Sequence, residues 1–174
     1  EKKDFFVPFL TNAAIRLEKS GVEFIVIPCN TAHVFIDQVR KLVNIPVLSI
    51  VEESVSFLRD RGMDNIGLLA TTQTIEMQLF DAKCRESGIK INKPSPQNQK
   101  QMSSIINKIL KNRHNSKDRE KLFRIINELE ENDCVLLACT DLQLLVSDHK
   151  KIKIHDTMKI LADATAREIL KGGE

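Results

Sequence analysis

The chain has 174 residues, 42% hydrophobic and 29% charged, with a formal net charge of +2, enough for one large or two small globular cores. Trp and Tyr are absent and the densest basic run is His149-Lys150-Lys151 with Lys153 just beyond, so a nucleic-acid partner lacks both stacking platforms and a clustered basic face. No apolar run approaches the roughly 20 residues of a membrane helix, and Glu1-Lys2-Lys3-Asp4 opens no signal-peptide pattern. The four cysteines (Cys29, Cys84, Cys134, Cys139) form no CxxC pair and no compact His/Cys cluster. That spacing argues against a disulfide scaffold and a zinc site, and the chain reads as cytoplasmic.

Taken in order, Phe6, Phe9, Leu10, Ala13, Ala14 and Leu17 recur at helical spacing and predict a helix from Asp4 to about Lys19, with Pro8 in its first turn and Gly21 ending it. Phe24 to Pro28 reads as a buried strand, followed by a helix from about Thr31 to Leu42. A short strand over Val47 to Ile50 and a helix from Glu52 to Arg61 come next, stopped at Gly62. The run Ile66 to Ala70 is a second buried strand ending in Thr71-Thr72-Gln73-Thr74. A helix then carries Met77, Phe80 and Cys84 to Gly88. Ile89 to Ile91 is a short strand, and amphipathic helices are predicted over 97–111 and 117–131. Cys134 to Ala138 is a third apolar strand, with a short helix over 142–146, a strand over 152–155 and a closing helix over 157–170.

Strands that are continuous apolar runs, alternating with helices, signify parallel strands covered on both faces. The expected fold is α/β, with two lobes of parallel sheet flanked by helices. The boundaries are 1–62 for the first lobe, with 154–174 packing back onto it, and 63–153 for the second.

The pattern of strand, polar strand-end and helix occurs at Cys29-Asn30-Thr31, at Thr71 to Thr74 and at Cys139-Thr140. In open α/β sheets ligands bind at such ends. A cysteine at a helix amino terminus meets unpaired N–H groups and the positive end of the helix dipole, which favour the thiolate. Cys84 and Cys134 read instead as small buried hydrophobes. Hydroxyls at Thr31, Thr74 and Thr140 fit either plain helix capping or reception of a carboxylate. Two strand-end sulfurs amid anion-binding groups suit proton chemistry beside a carboxylate, one thiolate taking a proton from one face of a carbon while the other thiol returns one to the opposite face. His33, four positions after Cys29 (33 − 29 = 4), reads as an orienting or buried histidine rather than half of a nucleophilic dyad.

Pro28-Cys29-Asn30-Thr31-Ala32-His33 resembles the P-C-N-T-A-H signature of the aspartate/glutamate racemase family, closest to that of the aspartate racemases. Cys139-Thr140-Asp141 is similar to its second signature, G-C-T-E. Leu68 to Thr74 resembles its L-L-A-T-x-G-T strand end. The resemblance implies a cofactor-independent isomerase with two pseudo-symmetric lobes, the site in the cleft between them, and assembly as a homodimer. It implies Cys29 and Cys139 as the acid/base pair. Asn30, Thr31 and Thr140 would hold the α-carboxylate and amino group, with Thr74 adding a hydroxyl. Lys111 would bind the side-chain carboxylate, or is simply a solvated lysine at a helix end. The substrate implied is aspartate, with glutamate the near alternative. Hydantoin racemisation, maleate isomerisation, decarboxylation or non-catalytic ligand binding are further readings.

Three departures bear on these expectations. Ala138 replaces the Gly before the second cysteine, Asp141 shortens the usual Glu, and Gln73 and Arg113 stand where Gly is usual. The family opens with a strand and a Gly-rich loop that nothing before Asp4 supplies, so the chain reads as a fragment of a longer protein.

Overall fold

Two uninterrupted aliphatic runs set the centre of the molecule. In the computed structural model, which describes residues 6–146 and 148–171, they are adjacent parallel strands buried almost throughout. In chain order the elements are α1 (Val7–Lys19), β1 (Ile25–Val26), a 3-10 turn (Thr31–Phe35), α2 (Ile36–Arg40), β2 (Val47–Leu48), α3 (Ile50–Arg59), β3 (Asn65–Ala70), α4 (Thr72–Glu76), α5 (Asp81–Glu86), β4 (Lys90–Asn92), α6 (Pro96–Leu110), α7 (Ser116–Asn127), β5 (Cys134–Ala138), a second 3-10 turn (Leu142–Leu144), β6 (Lys153–Asp156) and α8 (Thr157–Lys171). β1 pairs with β2, and the larger sheet has the order β4-β3-β5-β6, all parallel. This is the expected α/β fold of parallel sheets flanked by helices.

The period of two along each strand sorts the core into layers. Ile66, Leu68 and Ala70 of β3, with Cys134, Leu136 and Ala138 of β5, face α3, α5 and α8 through Ile50, Val55, Leu58, Phe80, Cys84, Ile160 and Leu161. Leu69, Val135, Leu137 and Cys139 face the opposite way, onto Met102, Ile105, Leu122, Ile125 and Ile126 of α6 and α7. Each fully buried aliphatic side chain contributes roughly 1.5–3 kcal/mol, so these two layers dominate the stability. A smaller cluster of Ala14, Ile25, Val39, Val43 and Val47 joins α1 and α2 to the two-stranded sheet. Val26 and Leu48 pack its other side against the α3/α8 layer.

Helix starts follow the local sequence. Ser49 caps α3, its Oγ accepting from Glu52 N at 3.3 Å, and Ser95 does the same for α6 from Asn98 N. Asn115 and Asp118 form a reciprocal capping box on α7. Arg40 forks onto Glu52 at 2.8 and 3.0 Å and also donates to the Val47 carbonyl, tying α2, β2 and α3 together.

Several boundaries differ from expectation for identifiable reasons. The strand predicted over 24–28 is two residues long, because Cys29 N donates to Ile27 O at 2.8 Å in a tight turn and Pro28 has no N–H to offer. The single helix predicted over 31–42 is a 3-10 turn followed by the short α2. In place of a single helix carrying Met77, Phe80 and Cys84 to Gly88, helix begins already at Thr72 and is broken into α4 and α5 at Gln78, whose φ is 53°. No Gly or Pro announces that break. It lets Thr74 and Phe80, both buried, point to different places. Ile50 begins α3 rather than ending a strand. Asp4 lies outside the described residues. Among the described residues no helix is long and apolar enough to cross a membrane.

Gly67 lies where β3 meets the turn after α7. A Cβ there would stand 3.0 Å from Leu129 Cβ and 3.1 Å from Val135 Cγ2. Gly67→Ala is expected to lower the unfolding free energy by about 1–3 kcal/mol, read as a lower urea midpoint. An unchanged midpoint would show that Leu129 yields without cost.

Candidate functional site

The tight turn at Pro28 ends β1 and presents Cys29 as an exposed thiol. The next five residues are pinned from three sides. His33 Nδ1 lies 2.8 Å from Cys29 O, and His33 Nε2 accepts from Ile50 N at 3.0 Å. An amide can only donate, so Nε2 keeps its lone pair and the ring proton sits on Nδ1, donating to the Cys29 carbonyl. His33 therefore couples the Cys29 turn to the first residue of α3, which makes it an orienting histidine. Burial lowers its pKa, opposed by the Cys29 carbonyl and lowered further by Arg40.

Asn30, 3% exposed, donates from Nδ2 to Thr157 Oγ1 at 2.9 Å, while its Oδ1 is buried without a protein partner. Thr31 Oγ1 lies 3.0 Å from Thr71 Oγ1 and 3.1 Å from Thr74 Oγ1, and the last two are 2.9 Å apart. This triangle of hydroxyls joins the Cys29 arm to the end of β3. Thr71 caps α4, its oxygen accepting from Thr74 N at 3.1 Å. Thr71 and Thr74 stand behind, and half-buried Thr31 faces open space.

The second sulfur arrives through strand register. Ala70 of β3 is opposite Ala138 of β5, so Thr71 and Cys139 emerge side by side at the carboxyl edge. Cys139 is 5% exposed, and its Sγ lies 3.8 Å from Asp141 Oδ2. A lowered pKa, expected from a helix amino terminus, is not found there. Burial pushes the Cys139 thiol up to about 11, with the Asp141 and Cys29 charges adding to the shift, while the Asp141 backbone opposes it. Cys84 and Cys134 are core residues, both pushed to about 12 by burial. Thr140 is half-buried beside Cys139, its carbonyl accepting from Gln143 Nε2 at 2.9 Å.

A cavity of about 570 Å³ opens against Cys29 and Thr31, walled by Leu10, Ile27, Ala32 and Phe35 and closed on one side by Gln73. Lys111 does not line it. That residue is exposed at the end of α6, eight positions (about 12 Å of helix) beyond Ser103, which touches Thr72. The structure thus links Cys29, Asn30 and Thr31 through the hydroxyl triangle to Thr74 and the carboxyl end of β3, beside which Cys139 and Thr140 emerge, while Asn30, Thr74, Cys139 and Thr140, like Lys111, are not among the residues that line the cavity. Thr71 and Thr157 belong to the same constellation but were not singled out from the sequence. A strand-end Thr at a cap position was the available signal for Thr71, and Thr157 offered none.

A model of Asp/Glu/hydantoin racemases matches residues 1–165. The chain belongs to that family. It is 28% identical to the broad specificity amino-acid racemase RacX of Bacillus subtilis (strain 168), over 92% of this chain and 71% of RacX. Its fold is similar to that of the Picrophilus torridus aspartate racemase, with 25% identity, a TM-score of 0.82 and coverage of 93% of this chain and 68% of the other. A Pyrococcus horikoshii aspartate racemase homologue gives 27%, 0.79, 91% and 73%.

Two expectations follow from the site's electrostatics. Iodoacetamide at pH 8 is expected to alkylate Cys29 first and Cys139 much more slowly, with Cys84 and Cys134 modified only after unfolding, as read by peptide mass spectrometry. Equal rates at Cys29 and Cys139 would contradict their difference in burial. For His33, the folded pKa lies below the unfolded 6.5, so between the two values the unfolded chain binds more protons. The stability this residue contributes is complete above 6.5 and falls as pH drops toward the lowered value, by at most about 1.4 kcal/mol per pH unit. Urea midpoints at pH 7.5 and 5.5 are expected to separate more in the wild type than in His33→Gln.

Proposed function

We propose that the protein racemises aspartate by two-cysteine proton transfer at Cα, without a cofactor, in a cleft between a lobe of 1–62 plus 154–174 and a lobe of 63–153. The observation that carries this reading is the triangle of hydroxyls that joins the Cys29 arm to the carboxyl end of β3, beside which Cys139 emerges from β5. The Cys29 thiolate takes the Cα proton and becomes a thiol. Cys139, held protonated by burial, gives its proton to the opposite face and is left as a thiolate, and exchange with solvent resets the pair. The Cα proton is weakly acidic, so the intermediate negative charge needs stabilisation. Thr31, backed by Thr71 and Thr74, and Thr140 supply donors to the α-carboxylate, while Asn30 Oδ1 accepts from the amino group. Lys111 reaches the side-chain carboxylate only if the end of α6 moves. The family likeness supports the homodimer as the working assembly.

A second reading is a broader substrate range that includes apolar amino acids. It rests on the cavity walls, which are aliphatic and aromatic and include no Lys or Arg among the described residues, and on the breadth in RacX's name. Proton NMR in D₂O with L-aspartate, L-glutamate and L-leucine distinguishes them. Loss of the aspartate Cα signal, abolished in both Cys29→Ala and Cys139→Ala, is the expected result. Exchange confined to leucine would replace the aspartate reading with the second, and no exchange on any substrate would sink both.

A further inference from the structure

Asn30 has two ends, and the fold decides which of them is left without a protein partner. Thr157 Oγ1 lies 3.1 Å from Leu137 O and 2.9 Å from Asn30 Nδ2, and Thr157 is fully buried. A hydroxyl has one proton, and the Leu137 carbonyl can only accept, so that proton goes to Leu137. Thr157 must then accept from Asn30, which fixes the amide with NH₂ toward Thr157 and Oδ1 away from it. Oδ1 is buried and has no protein partner. An acceptor left so is destabilising until a donor arrives. Leu137 also lies two positions before Cys139 on β5, while Asn30 directly follows Cys29. The Asn30–Thr157–Leu137 chain therefore links the two cysteine-bearing strand ends through a hydroxyl 127 positions from Asn30 and 20 from Leu137.

Resting on the racemase reading, we infer that Thr157 is a positioning residue of the site: it sets the polarity of Asn30 so that Oδ1 is the acceptor for the substrate's α-ammonium group. It touches no substrate itself. The structure thereby selects amino acids over dicarboxylates of the same shape that lack the amine. Without Thr157's lone pair the Asn30 amide is free to turn its NH₂ toward the ligand, where it repels an ammonium group.

The test compares wild type, Thr157→Val, which keeps the shape and removes the hydroxyl, and Thr157→Ser, which keeps the hydroxyl. The readouts are calorimetric binding of L-aspartate and of succinate, KM and kcat for Cα exchange, and the thermal midpoint as a folding control. Thr157→Val is expected to weaken L-aspartate binding and raise KM about tenfold, with succinate binding unchanged and kcat lowered less than threefold or so. Thr157→Ser is expected to stay within about twofold of wild type. Equal loss for aspartate and succinate, no loss for either, or a Ser variant as impaired as the Val variant would overturn the inference. Should Thr157→Val not fold, Thr157→Cys, whose sulfur is a poor acceptor, takes its place. Wild-type binding of aspartate over succinate without exchange would sink the racemase reading while leaving the role of Thr157 to be decided by the same binding comparison. Wild type that binds neither preferentially would overturn both.

Discussion

The constraint on which the rest depends is the parallel pairing of β3 and β5. Both strands are apolar on both faces, so their amides and carbonyls have no water to turn to and must satisfy each other and their neighbours. The pairing runs in one register from Ile66 with Cys134 to Ala70 with Ala138. A slip by one residue would move Leu68 and Leu136 off the α3/α8 layer and put Cys139 on the wrong face. The register that keeps the core dry is thus the one that sets Thr71 beside Cys139, and chemistry at the edge inherits its geometry from packing in the middle.

The two sulfurs are unlike. Cys139 ends a fully buried strand, and burial with Asp141 nearby keeps it a thiol. Cys29 follows a strand of two residues, three positions past its end, and is exposed, held by its neighbours rather than by a sheet. A short strand and a 3-10 turn would leave it poorly fixed. His33 compensates by bridging the Cys29 carbonyl and the start of α3, and Ser49 and Arg40 fasten α3 to the same region.

Hydroxyl groups carry much of the remaining organisation. Thr31, Thr71 and Thr74 form a closed triangle, and Thr157 relays between Asn30 and Leu137. A threonine both accepts and donates with one short, stiff side chain, so each such contact orients its neighbours at small entropic cost. The cavity beside them is apolar, and the polar groups are few and placed at one end, as ligand sites commonly are.

The sequence by itself determined the α/β class, the two central strands, α3, α6, α7 and α8 to within a few residues, and the strand-end cysteines with Asn30 and Thr31. Those features are written locally, as continuous apolar runs, helical spacing, Ser and Asn caps, and a proline before Cys29. Packing settled the features that depend on distant partners. The turn at Gln78 has no glycine to announce it and follows from burying Thr74 and Phe80 in different directions. Cys139 is raised rather than lowered because desolvation in a packed layer outweighs whatever a strand-end position supplies. Lys111 stands outside the cavity because the length and course of α6 carry it there. Thr157 matters because a single hydroxyl proton can satisfy only one acceptor, and its two partners come from 20 and 127 positions away. Periodicity reports the few residues on either side, whereas a buried hydrogen bond between remote segments exists only once the chain has packed.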